Sequence, residues 1–138
     1  MNYLLDVNVL VAWGWADHAD HPRVGAWLGK MKAKRGITLV TSAIPELGFV
    51  RVSVQRTGGR LPVSEAAATL AGMLGSLGKQ HGFLPDDCST AGGLPPWCTA
   101  ASRTTDAHLV TLAARHGGRL ATLDEGIPNA FLIPMHGI

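Results

Sequence analysis

A chain of 138 residues suits one compact domain and hardly two. A hydrophobic share of 46% and a mean hydropathy of +0.17 exclude a disordered chain, and no apolar run approaches the roughly 18 residues that a membrane span needs. The formal charge of +2 is too mild to announce a nucleic-acid binder, so any such role must come from local charge. Met1 to Asp6 reads as a short apolar strand ending on a carboxylate, and Val7 to Trp13 resumes an apolar run that can begin a helix. That junction is where open α/β proteins keep their chemistry. No basic segment leads into a secretory apolar core, since Asp6 and Asn8 interrupt it; the expectation is a cytoplasmic protein with no membrane attachment.

Asp17-His18-Ala19-Asp20-His21-Pro22 is polar and precedes Val24, Trp27, Leu28 and Met31 at helical spacing. The Asp-His steps read as a solvated loop and a helix start, with Asp20 or His21 as cap and Pro22 in the first turn. Lys30, Lys32, Lys34 and Arg35 suit a helix C-terminus. Ile37 to Thr41 is a β-branched second strand. Thr41 or Ser42 can cap the next helix, with Glu46 in its opening turns and Leu47, Phe49, Val50 and Val54 on its apolar side.

Ser64 begins a further helix bearing Leu70, Met73, Leu74 and Leu77. Gly72, Gly75 and Gly78 along it would let another backbone approach closely. Gly82 to Pro85 reads as a short strand, and Asp86 to Trp97 as an irregular loop of about twelve residues, a length that tends to be functional or mobile. Asp86 and Asp87 read as turn residues. Cys88 and Cys98 read as free thiols in a reducing compartment; their spacing makes no tetrahedral metal set. Thr104 or Thr105 caps a helix over Asp106 to Arg115, which Gly117-Gly118 ends. Arg119 to Asp124 is a strand closing on a carboxylate, and Phe131 to Pro134 a last short strand. This order predicts an α/β layer with a mostly parallel sheet.

Asp6, Glu46, Asp106 and Asp124 each fall at a strand end or helix start, and such junctions gather along one edge of a parallel sheet. Four carboxylates a few ångströms apart would push protons onto one another. A hard divalent cation removes that conflict and prefers carboxylate oxygens. The chemistry such a site suits best is phosphodiester hydrolysis by an activated water.

Leu4-Leu5-Asp6-Val7-Asn8, Pro45-Glu46, Thr105-Asp106-Ala107-His108-Leu109 and Leu120-Ala121-Thr122-Leu123-Asp124 together resemble the four acidic motifs of PIN-domain nucleases. The run from Thr105 through His116-Gly117-Gly118 to Asp124 is similar to that of VapC toxins of bacterial toxin–antitoxin pairs. The resemblance spans nearly the whole chain; it is specific in combination, although each motif alone is weak. It implies a single PIN-like unit over 1–138, a three-layer α/β/α fold, and a Mg²⁺- or Mn²⁺-dependent endoribonuclease silenced by a cognate antitoxin. By the same resemblance Asp6 and Asp106 are the principal metal ligands. Glu46 is a third acid positioning metal or water, Asp124 a fourth, Asn8 an orienting polar residue and Thr122 a hydrogen-bonding one. His108 departs from the aromatic common at its position. Cleavage would leave a 5′-phosphate and a 3′-hydroxyl.

Arg51, Arg56, Arg60 and Arg103 are candidates for RNA contact, since arginine can grip phosphate with two parallel hydrogen bonds. A homodimer, or a hetero-oligomer with antitoxin, is implied. Trp13, Trp15 and Trp27 are candidates either for antitoxin-binding surface or for ordinary core. A phosphoacceptor module or a haloacid-dehalogenase-type phosphatase needs a late lysine, and the last lysine is Lys79; the phosphatase would also want Asp where Asn8 stands. A PIN nuclease of RNA processing without antitoxin, and a non-catalytic PIN scaffold, stay open.

Overall fold

The computed structural model describes residues 1–135; residues 136–138 of the expected 1–138 unit lie outside them. Strands β1 (Asn2–Leu5), β2 (Thr38–Thr41), β3 (His81–Phe83), β4 (Arg119–Thr122) and β5 (Phe131–Leu132) form one five-stranded sheet in the order β3-β2-β1-β4-β5. Every pairing is parallel. Helices α1 (Val7–Gly14), α2 (His21–Lys32), α3 (Ala43–Arg56), α4 (Val63–Gly75) and α5 (Thr104–Arg115) connect them, with short 3₁₀ turns at Gly78–Gln80, Thr90–Gly92 and Ala101–Arg103. The expected α/β class and parallel sheet are both present.

Strand alternation builds the three layers. Leu5, Leu39 and Ala121 face one core, filled by Val9 and Leu10 of α1, Val24, Trp27 and Leu28 of α2, and Phe49 of α3. Leu4, Val40 and Leu120 face the other, filled by Leu109, Val110, Leu112 and Ala113 of α5. Trp27 therefore belongs to the core, packed edge-on against Tyr3. No helix of the described residues is long and apolar enough to cross a membrane.

Element ends differ from the expectations for local reasons. The first strand stops at Leu5 because Asp6 turns to cap α1. The third strand is His81–Phe83 rather than 82–85; Leu84 still donates to the Thr41 carbonyl at 2.7 Å, and Pro85 has no N–H to continue. The last strand covers only Phe131–Leu132, and Pro134 stops it in the same way. Gly72, Gly75 and Gly78 do not mediate close packing: a Cβ at any of them would meet nothing within 4 Å. The close approaches are elsewhere. A Cβ at Gly48 would stand 2.6 Å from Val7 Cγ2, and one at Gly118 only 2.5 Å from the Asn2 carbonyl oxygen. The first seats α3 against α1; the second lets the chain enter β4 beside β1.

Strand order places the site. From β1 the chain moves to β2 on one side, and later returns to β4 on the other. The direction in which strands are added thus reverses between the parallel β1 and β4, and the carboxyl ends of those two strands border a crevice.

Candidate active site

Asp6 leaves β1 in extended conformation and caps α1, its Oδ1 accepting from the Val7 N–H at 2.8 Å. Its other oxygen, Oδ2, accepts from the Thr122 hydroxyl at 2.8 Å. Thr122 ends β4 and is fully buried. Its oxygen also accepts from Asn8 Nδ2 at 3.2 Å and from the Asp124 N–H at 3.1 Å. One donor and two acceptors use the whole capacity of that hydroxyl. Asn8 completes the lock, with Oδ1 accepting from the Leu123 N–H at 3.2 Å. Thr122 thus ties the ends of β1 and β4 into one rigid polar unit.

Asp106 enters from the first turn of α5. Its charge and that of Asp124 both reach Asp6, although burial is the main reason the Asp6 carboxyl is pushed above its ordinary pKa; the bonds from Thr122 and Val7 pull the other way. Burial likewise raises Asp106, the Arg103 guanidinium lowers it, and Asp124 raises it further. Asp6, Asn8, Asp106, Asp124 and Thr122 are therefore brought together as expected from their motifs.

Glu46 sits differently. It lies in the first turn of α3 at the same edge of the sheet, but Oε2 accepts from the buried Thr41 hydroxyl at 2.7 Å. His81 Nε2 reaches that hydroxyl at 2.8 Å from β3. Since Thr41 donates to Glu46, Nε2–H of His81 donates to Thr41. Burial lowers the His81 pKa and Glu46 raises it. Glu46 lines an apolar groove of about 530 Å³ between α3 and α4, whereas Asp6 and Asp106 line a depression of about 450 Å³ with Asn8, His18, Arg51 and Arg56.

The expected arginines divide. Arg51 and Arg56 wall the depression; Arg56 pairs with Asp17 at 3.0 Å and lies over the Trp15 ring. Arg60 folds back on the Thr57 carbonyl. Arg103 is inside the acidic group: Nη1 stands 3.3 Å from Asp124 Oδ2 and 3.7 Å from Asp106 Oδ2. Arg103, a candidate for RNA contact, is thus paired with carboxylates in the metal-free protein, and its i,i+3 spacing to Asp106 is the sequence signal for that pairing. Asp86 and Asp87 are also more than turn residues. Asp86 accepts from Cys88 N–H at 3.2 Å, but also pairs with His108 at 2.6 Å, and Asp87 pairs with His116 at 3.0 Å. These contacts fasten the loop to α5. Cys88 and Cys98 are free.

Donor chemistry fits a hard divalent cation. Three carboxylates lie in mutual electrostatic reach, and two of them, Asp106 and Asp124, face one guanidinium. Among the described residues no group of three or more His, Cys, Asp or Glu side chains is placed to hold a metal ion as it stands.

The sequence decides the family. Ribonuclease VapC39 of Mycobacterium tuberculosis is 38% identical over 135 residues, covering 94% of each chain. The chain belongs to the VapC ribonuclease family. Ribonucleases VapC38 and VapC29 of the same organism are similar too, at 37% over 126 residues (90% of this chain, 86% of the relative) and 36% over 139 residues (97% and 98%). No protein-family model matches the chain. Two solved VapC-type structures share the fold. The Mycobacterium tuberculosis VapC20, a toxin described as cleaving the sarcin-ricin loop, aligns at a TM-score of 0.64 with 15% identity, covering 91% of this chain and 92% of that one. VapBC2 from Rickettsia felis, solved with a DNA fragment of its promoter, aligns at 0.61 with 17% identity, covering 96% and 97%. The VapC motifs recognised in the sequence are thus carried by a chain with full-length VapC relatives and a VapC fold.

Proposed function

We propose that this VapC-family protein is a divalent-metal-dependent endoribonuclease toxin that hydrolyses RNA phosphodiesters at the β1–β4 crevice. The observation that carries the reading is the Thr122-centred unit, which fixes Asp6, Asn8 and the start of the Asp124 turn beside Asp106. Asp6 and Asp106 would hold Mg²⁺ or Mn²⁺, with Asp124 contributing through water. When bound, such an ion supplies charge neutralisation at the phosphate and acidifies a water. The chain's own residues do the rest. Thr122 and the Val7 N–H hold both Asp6 oxygens in one orientation. Asn8 keeps Thr122 aimed at Asp6. Glu46, braced by Thr41 and His81, is the third acid proposed to position water and relay a proton, which requires its carboxylate to turn from the α3–α4 groove. Arg51 and Arg56 give the crevice a positive wall for the RNA backbone.

An antitoxin partner is proposed by kinship with the Rickettsia felis VapBC2 complex. Association as a homodimer or a hetero-oligomer would have apolar area available on the α3–α4 groove, where Leu47 and Phe83 are exposed. The cytoplasm is the proposed compartment, in keeping with two free cysteines.

Purified protein is expected to cut structured RNA in Mg²⁺ or Mn²⁺ and to stop when a chelator is added. Asp6→Asn or Asp106→Asn should lower the rate at least ~100-fold, as expected for loss of a group acting on the reacting centre. Undiminished cleavage in chelator would end the metal reading.

A further inference from the structure

Arg103 closes the 3₁₀ turn ahead of α5 and reaches three partners at once. Its Nη1 lies between Asp124 Oδ2 (3.3 Å) and Asp106 Oδ2 (3.7 Å), and Nη2 donates to the Gly126 carbonyl. The turn after β4 is shaped around this fork: a Cβ at Gly126 would stand 3.1 Å from Nη2 and 3.3 Å from Asp124 Oδ1. The Gly126 N–H in turn donates to Asp124 Oδ1 at 2.8 Å. This is a socket holding one positive charge between two acids that come from different elements. No cation among the described residues pairs with Asp6, so the guanidinium neutralises the outer two carboxylates and leaves the inner one.

We propose that Arg103 is an internal counter-ion: it holds Asp106 and Asp124 in the metal-free protein, yields Asp106 to the divalent cation, and then offers its guanidinium to an RNA phosphate. The proposal rests on the metal-dependent reading above. A carboxylate oxygen facing a guanidinium is a poorer ligand for a second cation, and the two positive charges repel, so pairing and metal binding oppose each other. Arg103 is about a third exposed, which leaves it a path into the crevice mouth. A freed guanidinium beside the crevice has the planar fork that phosphate oxygens match. Arg103 is thereby a positioning residue for the acids and a contact for the substrate in turn.

The test is Mn²⁺ titration of the whole protein by calorimetry, alongside steady-state RNA cleavage, for wild type, Arg103→Gln and Arg103→Lys. Mn²⁺ affinity is expected to rise in the order Arg, Lys, Gln, with Gln roughly two- to fivefold tighter than wild type, the scale of a partly exposed ion pair. KM for RNA should rise about tenfold in Arg103→Gln, the scale of one charge-assisted hydrogen bond lost. A merely structural role predicts the opposite for metal, since a loosened turn would weaken binding. Unchanged or weaker Mn²⁺ binding in either folded variant overturns the counter-ion role; tighter binding with unchanged KM overturns the phosphate contact. Mn²⁺ binding absent from all three proteins would overturn the metal reading itself.

Discussion

Asp6 is only 5% exposed, and its carboxyl is pushed above the ordinary 3.8 chiefly by burial, with help from Asp106 and Asp124. Between 3.8 and that raised value the folded chain holds more protons than the unfolded one. Without metal, stability therefore falls as pH rises through this window and stays lower above it. Asp106 contributes with the same sign. Asp6→Asn keeps the shape and removes the charge. Thermal unfolding in chelator should show it more stable than wild type at pH 7, with the difference gone below about pH 3.8. The residue whose loss stops catalysis would thus be one whose charge costs stability. A less stable Asp6→Asn at pH 7 would mean that the Thr122 and Val7 bonds outweigh burial.

These residues also show what a sequence yields. Asp6, Asp106 and Asp124 are legible because each follows a strand or opens a helix, and parallel sheets bring such positions to one edge; Asn8 and Thr122 are legible only through the family resemblance. The direction of the Glu46 carboxylate is not legible, since it depends on Thr41 and on His81 of a strand that sequence pattern did not pair with β2. The Asp86–His108 and Asp87–His116 pairs were hidden for the same reason: they join a loop to a helix more than twenty residues away.

At the scale of elements, α3 is seated by Gly48 against Val7, the residue that follows Asp6. Alternation and capping located the helices, but the need for a glycine here came from helix crossing, which no local pattern records. The periodic glycines Gly72 and Gly75 of α4 and Gly78 just beyond it, far more conspicuous in the sequence, face open space. Gly48→Ala places a Cβ 2.6 Å from Val7 Cγ2, so the Val7 side chain or the α1–α3 spacing must shift. Chemical denaturation should show a loss of about 1–3 kcal/mol, the usual cost of overpacking, and RNA cleavage should fall because Asp6 and Glu46 shift relative to each other. Gly72→Ala, in the same assay, should gain up to about 1 kcal/mol from helix propensity. A neutral Gly48→Ala would mean that the contact relaxes without cost.

For the whole molecule, a net charge of +2 gives little long-range attraction to RNA. Affinity must come from the wall formed by Arg51 and Arg56 and from whatever neutralises the carboxylates between them and the phosphate. The parallel sheet was predictable from alternating strand and helix patterns. Its order was not, because only non-local pairing puts β4 beside β1, and that pairing creates the crevice. Acids from the end of β1, from α5 and from the β4 turn are proposed to share one divalent ion there. A crystal of the intact protein soaked in Mn²⁺ tests it directly through anomalous scattering. The expected result is a manganese peak at Asp6 and Asp106, with Asp124 within a water's reach and Arg103 turned away from Asp106. No peak at this edge, or one held by Glu46 and His81 alone, would contradict it.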